Sequence, residues 1–398
     1  MREWHVGKGD QAAPVMDGEV ARLFNWRLWR HLDFTLIVLV LFLMGTGLVF
    51  VHSATSHSPV NGDPLYYVRR QVIWVGISIV LMLVFAAMDY TIWQHWWKVI
   101  YAGNLGLLMA VFAVGRSAMG AQRWIQLGPV PLQPSELAKI FIILTLAANL
   151  TKREGRLNRW QDLIMPFVHV AIPMVLVLKQ PDLGTSLAFV AILFTMLYVA
   201  QARWQHLVII GGGGLALVIA WILAHFYLGV PIILRDYQLQ RLLVFLNPGS
   251  DPHGAGYNII QSIIAVGSGQ IFGKGIGSGT QNMLDFIPEQ HTDFIFSVVG
   301  EEAGFIGAAA LLIVFLAVIL RAINAAQRAR DSYGALVASG IAGLLTFHAL
   351  VNVGGVIGIM PVTGIPLPFI SYGGSSMLTN GVAMGILLSI YMRRYTVY

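Results

Sequence analysis

The stretch PEQHTDFIFSVVGEEAGFIGAAALLIVFL, residues 288–316, begins polar and continues as a long apolar run. His291 and Asp293 stand where the polar part meets the apolar part, and Glu301 and Glu302 follow about two helical turns later. An apolar run of about 20 residues is long enough to cross the hydrocarbon core of a membrane. The stretch therefore predicts a membrane-spanning helix with several ionisable groups at its head.

The composition of the whole chain supports a membrane location. Of its 398 residues, 57% are hydrophobic and 11% are charged, and the mean hydropathy is +0.70, whereas soluble domains contain about 25% charged residues. No cysteine is present, which excludes disulfides, thiolate metal sites and cysteine nucleophiles. We attribute the net charge of +6 to Lys and Arg residues that set membrane topology, and we expect no nucleic-acid partner.

Apolar runs predict an all-α polytopic membrane protein with about ten transmembrane helices and a long loop, residues 229–293, between spans seven and eight. With the N-terminus inside, the predicted cytoplasmic segments hold 16 Lys/Arg residues and the external segments hold 8. This bias places both termini in the cytoplasm. Residues 1–33 form a cytoplasmic N-terminal segment and residues 34–394 a single membrane domain. The predicted spans are residues 34–52, 71–88, 97–115, 135–150, 163–179, 183–201, 206–228, 294–320, 333–358 and 372–392.

The long loop contains two amphipathic segments and a glycine-rich stretch. YQLQRLLVFLNP and YNIIQSIIAVGSG carry apolar residues at helical spacing, which predicts helices lying in the outer membrane interface. The glycine-rich GSGQIFGKGIGSGT lacks the spacing of a nucleotide-binding loop, because Gly275 follows Lys274 where Ser or Thr is needed. We instead expect the glycines to let the backbone approach an anionic ligand, with Lys274 as a phosphate partner.

Four ionisable residues lie at or near predicted membrane boundaries, Asp293 among them. Glu136 and Lys139 are three residues apart in PSELAKIF, so they form either an ion pair within one helix or a ligand contact. Asp182 lies in the turn QPDLGTS beside Lys179, where it acts either locally, as a turn cap or in an ion pair with Lys179, or as a carboxylate facing an outward cavity. Asp293 opens the eighth span, so a helix cap is the simple alternative there.

The density of polar groups at Asp293 exceeds what capping needs, because Asp285, Glu289 and His291 crowd the same stretch. Two polar residues in the ninth span, His348 and Asn352, are interpreted as helix-packing contacts. Spacing alone predicts no metal site.

Five motifs in order resemble the shape, elongation, division and sporulation (SEDS) family, from about residue 34 to residue 394. They are GAQRWIQLGPVPLQPSELAKIF, QPDLGTS, NPGSDPHGAGYNIIQSIIAVGSGQIFGKG, IPEQHTDFIFSVVGEEAGFIG and PVTGIPLPFISYGGSSM. The resemblance implies a peptidoglycan glycosyltransferase that polymerises lipid II on the outer side of the bacterial cytoplasmic membrane, together with a class B penicillin-binding protein. DPHGAGYNIIQS, FGKG and TGIPLPF are more similar to the elongation branch, which acts in cell shape, than to the division branch.

The resemblance also implies roles for individual residues. Asp293 carries over as the essential carboxylate and Asp182 as a second required one, while Arg123, Glu136 and Lys139 are functionally important positions. Inverting transfer from a pyrophosphate-linked donor needs one base, Asp293, and cationic charge on the leaving group. His291 is a candidate supporting residue beside Asp293. The candidate cations for binding pyrophosphate are Arg123, Lys274, Arg235 and Arg241.

A divalent cation, Mg²⁺ or Mn²⁺, is left open as a partner of the pyrophosphates. Glu301 and Glu302 are assigned only support of the cavity. Two other functions compete with the enzyme: a lipid II flippase, which needs polar groups along the whole path, and a scaffold that only docks the transpeptidase. The candidate groups cluster at the predicted outer face, which favours the enzyme.

Overall fold

The structure is a computed structural model of the chain. It describes residues 26–57, 63–118, 121–127, 130–231, 236–251, 254–284 and 286–395. Helices account for most of these residues. In chain order they are α1 Phe34–Thr55, α2 Tyr66–Ala87, α3 Thr91–His95, α4 Trp97–Val114, α5 Pro134–Thr151, α6 Trp160–Lys179, α7 Leu183–Val199, α8 Trp204–Leu228, α9 Asp236–Leu246, α10 Ala255–Ser268, α11 Thr280–Met283, α12 Ile295–Gln327, α13 Ser332–Val356 and α14 Gly374–Met392.

The predicted polytopic architecture is confirmed. In the described ranges, nine helices are long and apolar enough to cross a membrane, and α7, with 17 residues, is a tenth and shorter apolar helix. The segment between α8 and α12 contains α9, α10 and α11, and α9 and α10 coincide with the two amphipathic segments expected there. Short 3₁₀ helices precede α1, at Trp26–His31, and follow α9, at Pro248–Ser250.

The segment between α4 and α5, predicted as a loop, contains a small antiparallel sheet. Its strands are β1 Arg116–Ala118, β2 Ala121–Leu127 and β3 Val130–Leu132, in the order β1-β2-β3. In the register, Ser117 pairs with Gln122 and Ile125 pairs with Leu132. The sheet leads directly into α5, so it fixes the position of Arg123 relative to the head of that helix.

The inner helices are α5, α13 and α14, and the other membrane helices surround them. The contact between α14 and α2 is the most extensive, because glycines allow the two main chains to approach closely. A Cβ atom at Gly381 would collide with the main chain of Ser78, and one at Gly385 with the main chain of Met82. At the other extreme, α8 is exposed along almost its whole length and contacts mainly α7.

The quoted head of the eighth span is a broken helix. Gly304 has φ 65° and ψ −168° inside α12, a conformation open essentially only to glycine. The loop before α11 pairs with the main-chain groups released by this break. The amides of Lys274 and Gly275 donate to the carbonyl oxygens of Glu301 and Glu302, each at 3.0 Å.

On the other side of the break, the Phe305 amide donates to the Gln270 carbonyl oxygen at 2.8 Å and the Ile306 amide to that of Ile271 at 3.1 Å. Because unpaired main-chain groups are costly near a membrane, the loop 270–275 completes α12 rather than lying on its surface. We call this arrangement the loop–α12 pairing.

Candidate functional site

A cavity of about 630 Å³ lies at the end of the helix bundle where α5, α7 and α12 begin. We call it the Asp293 cavity. Side chains from the sheet, the long loop and four helices converge on it. The charged and histidine residues that line it are Arg123, Glu136, Lys139, Asp182, Arg241, Glu289, Asp293 and His348.

The segment between α13 and α14 holds the main chain at Asp293 in place. The Asn352 side-chain amide donates to the Asp293 carbonyl oxygen at 2.9 Å and to the Ile365 carbonyl oxygen at 2.8 Å. The Ser371 hydroxyl donates to the Thr292 carbonyl oxygen at 2.7 Å. These contacts fix the carbonyl groups, so the Asp293 carboxylate is left to face the cavity.

The Asp293 carboxylate lies among both positive and negative groups. Burial raises the pKa of Asp293, which precedes α12, to about 6. The Glu289 and Asp182 carboxylates also raise this pKa, whereas the Arg241 and Arg123 guanidinium groups lower it. A carboxyl whose pKa lies near neutrality can accept a proton and release it again, which suits a general base.

Gly364 lies beside both the Asp293 carboxylate and the Arg241 guanidinium group. A Cβ atom there would lie 3.5 Å from both Asp293 Oδ2 and Arg241 Nη1. The carboxylate and the guanidinium group therefore approach the same small space beside a residue without a side chain. Arg241 reaches this space from α9, so the amphipathic helix contributes directly to the cavity.

Asp182 is both a helix cap and a cavity residue. Its carboxylate accepts from the Thr185 amide at 3.2 Å and from the Thr185 hydroxyl at 2.9 Å, capping α7. It also accepts from the Ser135 hydroxyl at 2.9 Å and from the Gln133 amide at 3.2 Å. Both interpretations left open by the sequence therefore hold, and Asp182 ties the head of α5 to the head of α7.

Arg123 braces the turn that precedes Asp182. Its Nε atom donates to the Gln180 carbonyl oxygen at 3.1 Å, and its Nη2 atom donates to the Pro181 carbonyl oxygen. The turn lies between the end of α6 at Lys179 and the start of α7 at Leu183. The guanidinium group thus adds positive charge to the cavity while two of its five N–H donors hold the turn.

Glu136, Lys139 and His348 form a buried chain of contacts in the cavity. Lys139 Nζ lies 2.7 Å from Glu136 Oε1 and 3.2 Å from His348 Nε2. Lys139 is 2% exposed and still lines the cavity. The ion pair within α5 therefore does not remove Lys139 from the cavity surface. A buried pair of this kind keeps both side chains in one geometry.

The structure does not bring every predicted residue to the cavity. Lys274 donates to Glu301 Oε1 at 2.7 Å and to the Thr280 hydroxyl at 2.7 Å, and it is not among the residues that line the cavity. Glu301 thus serves the loop–α12 pairing. The His291 ring packs against those of Tyr67 and Tyr372, with centroids 4.5 and 5.5 Å away.

The structure gives no position for two residues that the sequence analysis named. Arg235 and Asp285 lie outside the described residues. Glu302, which follows Glu301 in α12, accepts a hydrogen bond from the Ser53 hydroxyl at 2.6 Å. This contact joins α12 to α1.

His348 and Asn352 were interpreted from the sequence as packing residues, yet His348 lines the cavity and Asn352 positions Asp293. The sequence does carry a usable signal, because two polar residues four apart in an apolar span share one helix face. A face of this kind must meet polar partners inside the bundle. No such signal marks Gly364, whose importance depends on the fold of the segment before α14.

Among the described residues, no group of three or more His, Asp or Glu side chains is arranged to hold a metal ion. A cation held largely by protein ligands therefore does not fit this cavity. A cation that takes most of its ligands from substrate phosphates needs only one or two carboxylates.

Curated relatives cover nearly the whole chain. The probable peptidoglycan glycosyltransferase FtsW of Trichlorobacter lovleyi is 38% identical over 364 residues, which covers 90% of this chain and 92% of that protein. The peptidoglycan glycosyltransferase MrdB of Escherichia coli strain K12 is also 38% identical and covers 92% of this chain and 94% of that protein. The stage V sporulation protein E of Bacillus subtilis is 35% identical, covering 92% and 98% respectively.

Solved structures share the fold. A chain in the structure described as "Structural coordination of polymerization and crosslinking by a peptidoglycan synthase complex" is 32% identical, with a TM-score of 0.76, covering 92% of this chain and 99% of that one. The rod shape determining protein RodA of Thermus thermophilus is 30% identical with a TM-score of 0.68, covering 92% and 98% respectively. Residues 34–396 match the family FTSW_RODA_SPOVE, described as a cell cycle protein. The chain therefore belongs to the FtsW, RodA and SpoVE family, which is the SEDS family that its motifs resemble.

Proposed function

We propose that the chain is a peptidoglycan glycosyltransferase that polymerises lipid II into glycan strands by inverting transfer. The observation that carries the proposal is the Asp293 carboxylate, which lines a 630 Å³ cavity together with Arg123 and Arg241. Two curated relatives are named as peptidoglycan glycosyltransferases, and this chain aligns with more than 90% of the length of each. Their names support the reaction class. Lipid II is the substrate we infer because its pyrophosphate requires cations and its lipid tail requires a membrane site.

The transfer needs one proton acceptor and a stabilised leaving group. Asp293 accepts the proton of the acceptor sugar's 4-hydroxyl, whose oxygen forms a bond to C1 of the donor sugar. The bond from C1 to the pyrophosphate oxygen breaks, and the electron pair leaves with the pyrophosphate. A single displacement converts the α-linked donor into a β-linked product, and Arg123 and Arg241 stabilise the charge on the departing group.

The hydrogen bonds of the two cavity aspartates support this division of roles. The Asp182 carboxylate accepts four hydrogen bonds, so its oxygens are already used. Within the described part of the chain, hydrogen bonds at Asp293 involve its main chain and not its carboxylate. A base must be able to accept a proton from the substrate, so Asp293 is the better candidate and Asp182 a positioning residue.

The proposal places the cavity on the outer face of the bacterial cytoplasmic membrane. The two-to-one excess of Lys and Arg in the segments at the opposite ends of the spans supports this orientation. We also propose a class B penicillin-binding protein as partner, because one structural relative belongs to a peptidoglycan synthase complex that couples polymerisation and crosslinking. A divalent cation shared by a cavity carboxylate and the pyrophosphate remains part of the proposal.

The flippase alternative requires a polar path through the membrane. Below Lys139, the fully buried side chains of α5 are mostly apolar, as at Ile142 and Ile143, and the buried Thr145 hydroxyl is engaged by His169 Nε2 at 2.9 Å. On α5 the lining of the Asp293 cavity ends at Lys139. This arrangement favours an enzyme that works from one side of the membrane.

The test is polymerisation of purified lipid II by the detergent-solubilised protein, with and without its penicillin-binding partner, comparing wild type with Asp293→Asn. We expect long glycan chains from wild type and a loss of roughly 100-fold or more in the variant, because a general base contributes about that much. Asp63→Asn is the matched control, since Asp63 pairs with Arg69 outside the cavity. If Asp293→Asn forms polymer at the wild-type rate, Asp293 is not the base. If neither folded protein forms polymer with the partner present, the flippase is favoured.

A further inference from the structure

A second cavity lies at the opposite end of α5 from the Asp293 cavity. Its volume is about 470 Å³, and its lining includes Trp97, Lys152, Arg153, Arg156 and Asp162. Glu136 and Asn149 are 13 residues apart on α5, which corresponds to roughly 20 Å along a helix. The two cavities are therefore separate, and the buried apolar part of α5 lies between them. We call the second one the basic cavity.

Among the residues that the structure describes, no acidic side chain balances the charge of the basic cavity. Within the described residues, Lys152, Arg153 and Arg156 pair with no carboxylate at salt-bridge distance. The one acidic lining residue, Asp162, is already engaged, because its Oδ2 atom accepts from the Arg159 amide at 3.1 Å at the start of α6. Three cations thus share a concave site with one occupied carboxylate.

Two of the cations are held in place by neighbouring side chains. The Lys152 ammonium lies 4.7 Å from the centre of the Trp97 ring, a cation–π distance. Arg153 Nε donates to the Asn149 side-chain oxygen at 3.2 Å, and Asn149 itself is 8% exposed. These contacts use one face of each cation and leave its remaining donors available for an anion.

The surroundings of the cavity indicate where the anion comes from. Met165 lines the cavity and is 52% exposed, and the nearby Trp160 is 47% exposed, so the mouth of the site adjoins the apolar outer surface of α6. Trp side chains are enriched at the level of lipid headgroups. The Lys/Arg count predicts that this end of the bundle faces the cytoplasm, where anionic headgroups attract basic clusters.

We infer that the basic cavity binds the phosphate group of an anionic membrane lipid, with Lys152, Arg153 and Arg156 as the phosphate ligands. The lipid tails would lie against α6. This site does not depend on the proposed transferase activity, because the α5 residues that line the two cavities, Glu136 and Asn149, are about 20 Å apart along the helix. It would hold the loop between α5 and α6 against the membrane surface.

The test measures lipid binding to the purified full-length protein by native mass spectrometry in a detergent micelle. The probes are phosphatidylglycerol, phosphatidylcholine and inorganic phosphate. The variant is Lys152→Gln/Arg156→Gln, which changes two exposed side chains, and Arg203→Gln/Arg328→Gln is the control, which removes two exposed cations predicted to lie on the same membrane face. We expect wild type to bind phosphatidylglycerol roughly tenfold more tightly than phosphatidylcholine, and the cavity variant to lose that preference.

Each other outcome overturns the inference. Equal binding of the two lipids by wild type, or an unchanged preference in the cavity variant, would show that the cavity is not a phosphate site. A loss of the same size in the control would attribute binding to net charge alone. Displacement of phosphatidylglycerol by an equimolar amount of inorganic phosphate would assign the site to a soluble anion. If the double variant fails to fold, Arg156→Glu tests the same expectation with a single exposed residue.

Discussion

Asp293 and Asp182 show how the same side chain takes different roles in one cavity. The Asp182 carboxylate accepts four hydrogen bonds from groups at the heads of two helices, so both of its oxygens are engaged. Asp293 is anchored through its main chain by Asn352, so its carboxylate can change protonation state while the backbone stays in place. A sequence motif identifies both residues, but only the hydrogen bonds distinguish the proposed base, Asp293, from the proposed positioning residue, Asp182.

The raised pKa of Asp293 predicts a pH dependence of the reaction. The base works when deprotonated, and burial raises its pKa to about 6, so activity should be full well above pH 6 and fall as the pH drops through that value. At one pH unit below the pKa, about a tenth of the carboxylate remains. The measurement is kcat/KM for lipid II polymerisation between pH 5 and pH 8. Activity that stays full down to pH 5, as expected for an Asp with an unperturbed pKa of about 4, would contradict the effect of burial.

The Glu136–Lys139 pair permits a test that separates structure from ligand contact. Lys139→Met leaves Glu136 buried without its partner, so the free energy of unfolding should fall by about 3–5 kcal/mol. Adding Glu136→Gln removes the unpaired charge and should restore much of the stability, measured as the melting temperature in detergent. We expect activity to remain low in the double variant, because Lys139 also lines the cavity. Recovered activity would mean that the pair has a structural role only.

At the scale of elements, the hydrophobic pattern predicts the spans well because length and apolarity decide them. The pattern predicts neither the sheet nor the break in α12. The strands β1 and β3 have only three residues each, too few to show an alternation. The break at Gly304 interrupts the helix without interrupting the apolar run. Its partner is a loop about 30 residues earlier, and the ion pair of Lys274 with Glu301 follows from that same long-range pairing.

Gly304→Ala should destabilise the protein through this break. The φ of 65° and ψ of −168° are strained for any residue with a Cβ atom, and that atom would collide with the main-chain nitrogen of Gly273. We expect a loss of roughly 3 kcal/mol or more, measured by thermal unfolding. Gly212→Ala is the control, because α8 offers open space at Gly212. An equal effect of both changes would mean that the loop–α12 pairing adds nothing to stability.

At the scale of the whole molecule, family, fold and reaction class could be predicted from the sequence, since five motifs in order are specific. The choice between elongation and division rests on a few motif letters. Relatives named FtsW and MrdB are equally similar, at 38% identity, so this choice remains a prediction. The size and lining of the Asp293 cavity could not be predicted, because they depend on how α5, α7, α9 and α12 meet.

The elongation role predicts a particular shape defect. Depleting the protein in its native host should make rod-shaped cells round while septa still form, because glycan insertion along the cylinder would stop. Cell width and septum frequency, followed by microscopy, provide the measurement. Re-expression of wild type should restore rods, whereas Asp293→Asn should not. Filaments without septa would assign the chain to division instead.

The loop–α12 pairing also has a consequence for motion. A loop as rich in glycine as residues 269–279 would normally open within nanoseconds to microseconds. Here the loop shares four main-chain hydrogen bonds with a membrane helix, so it opens only when the helix itself comes apart at its break. Loop and helix thus form one cooperative unit, and its opening rate is set by the membrane bundle rather than by the loop.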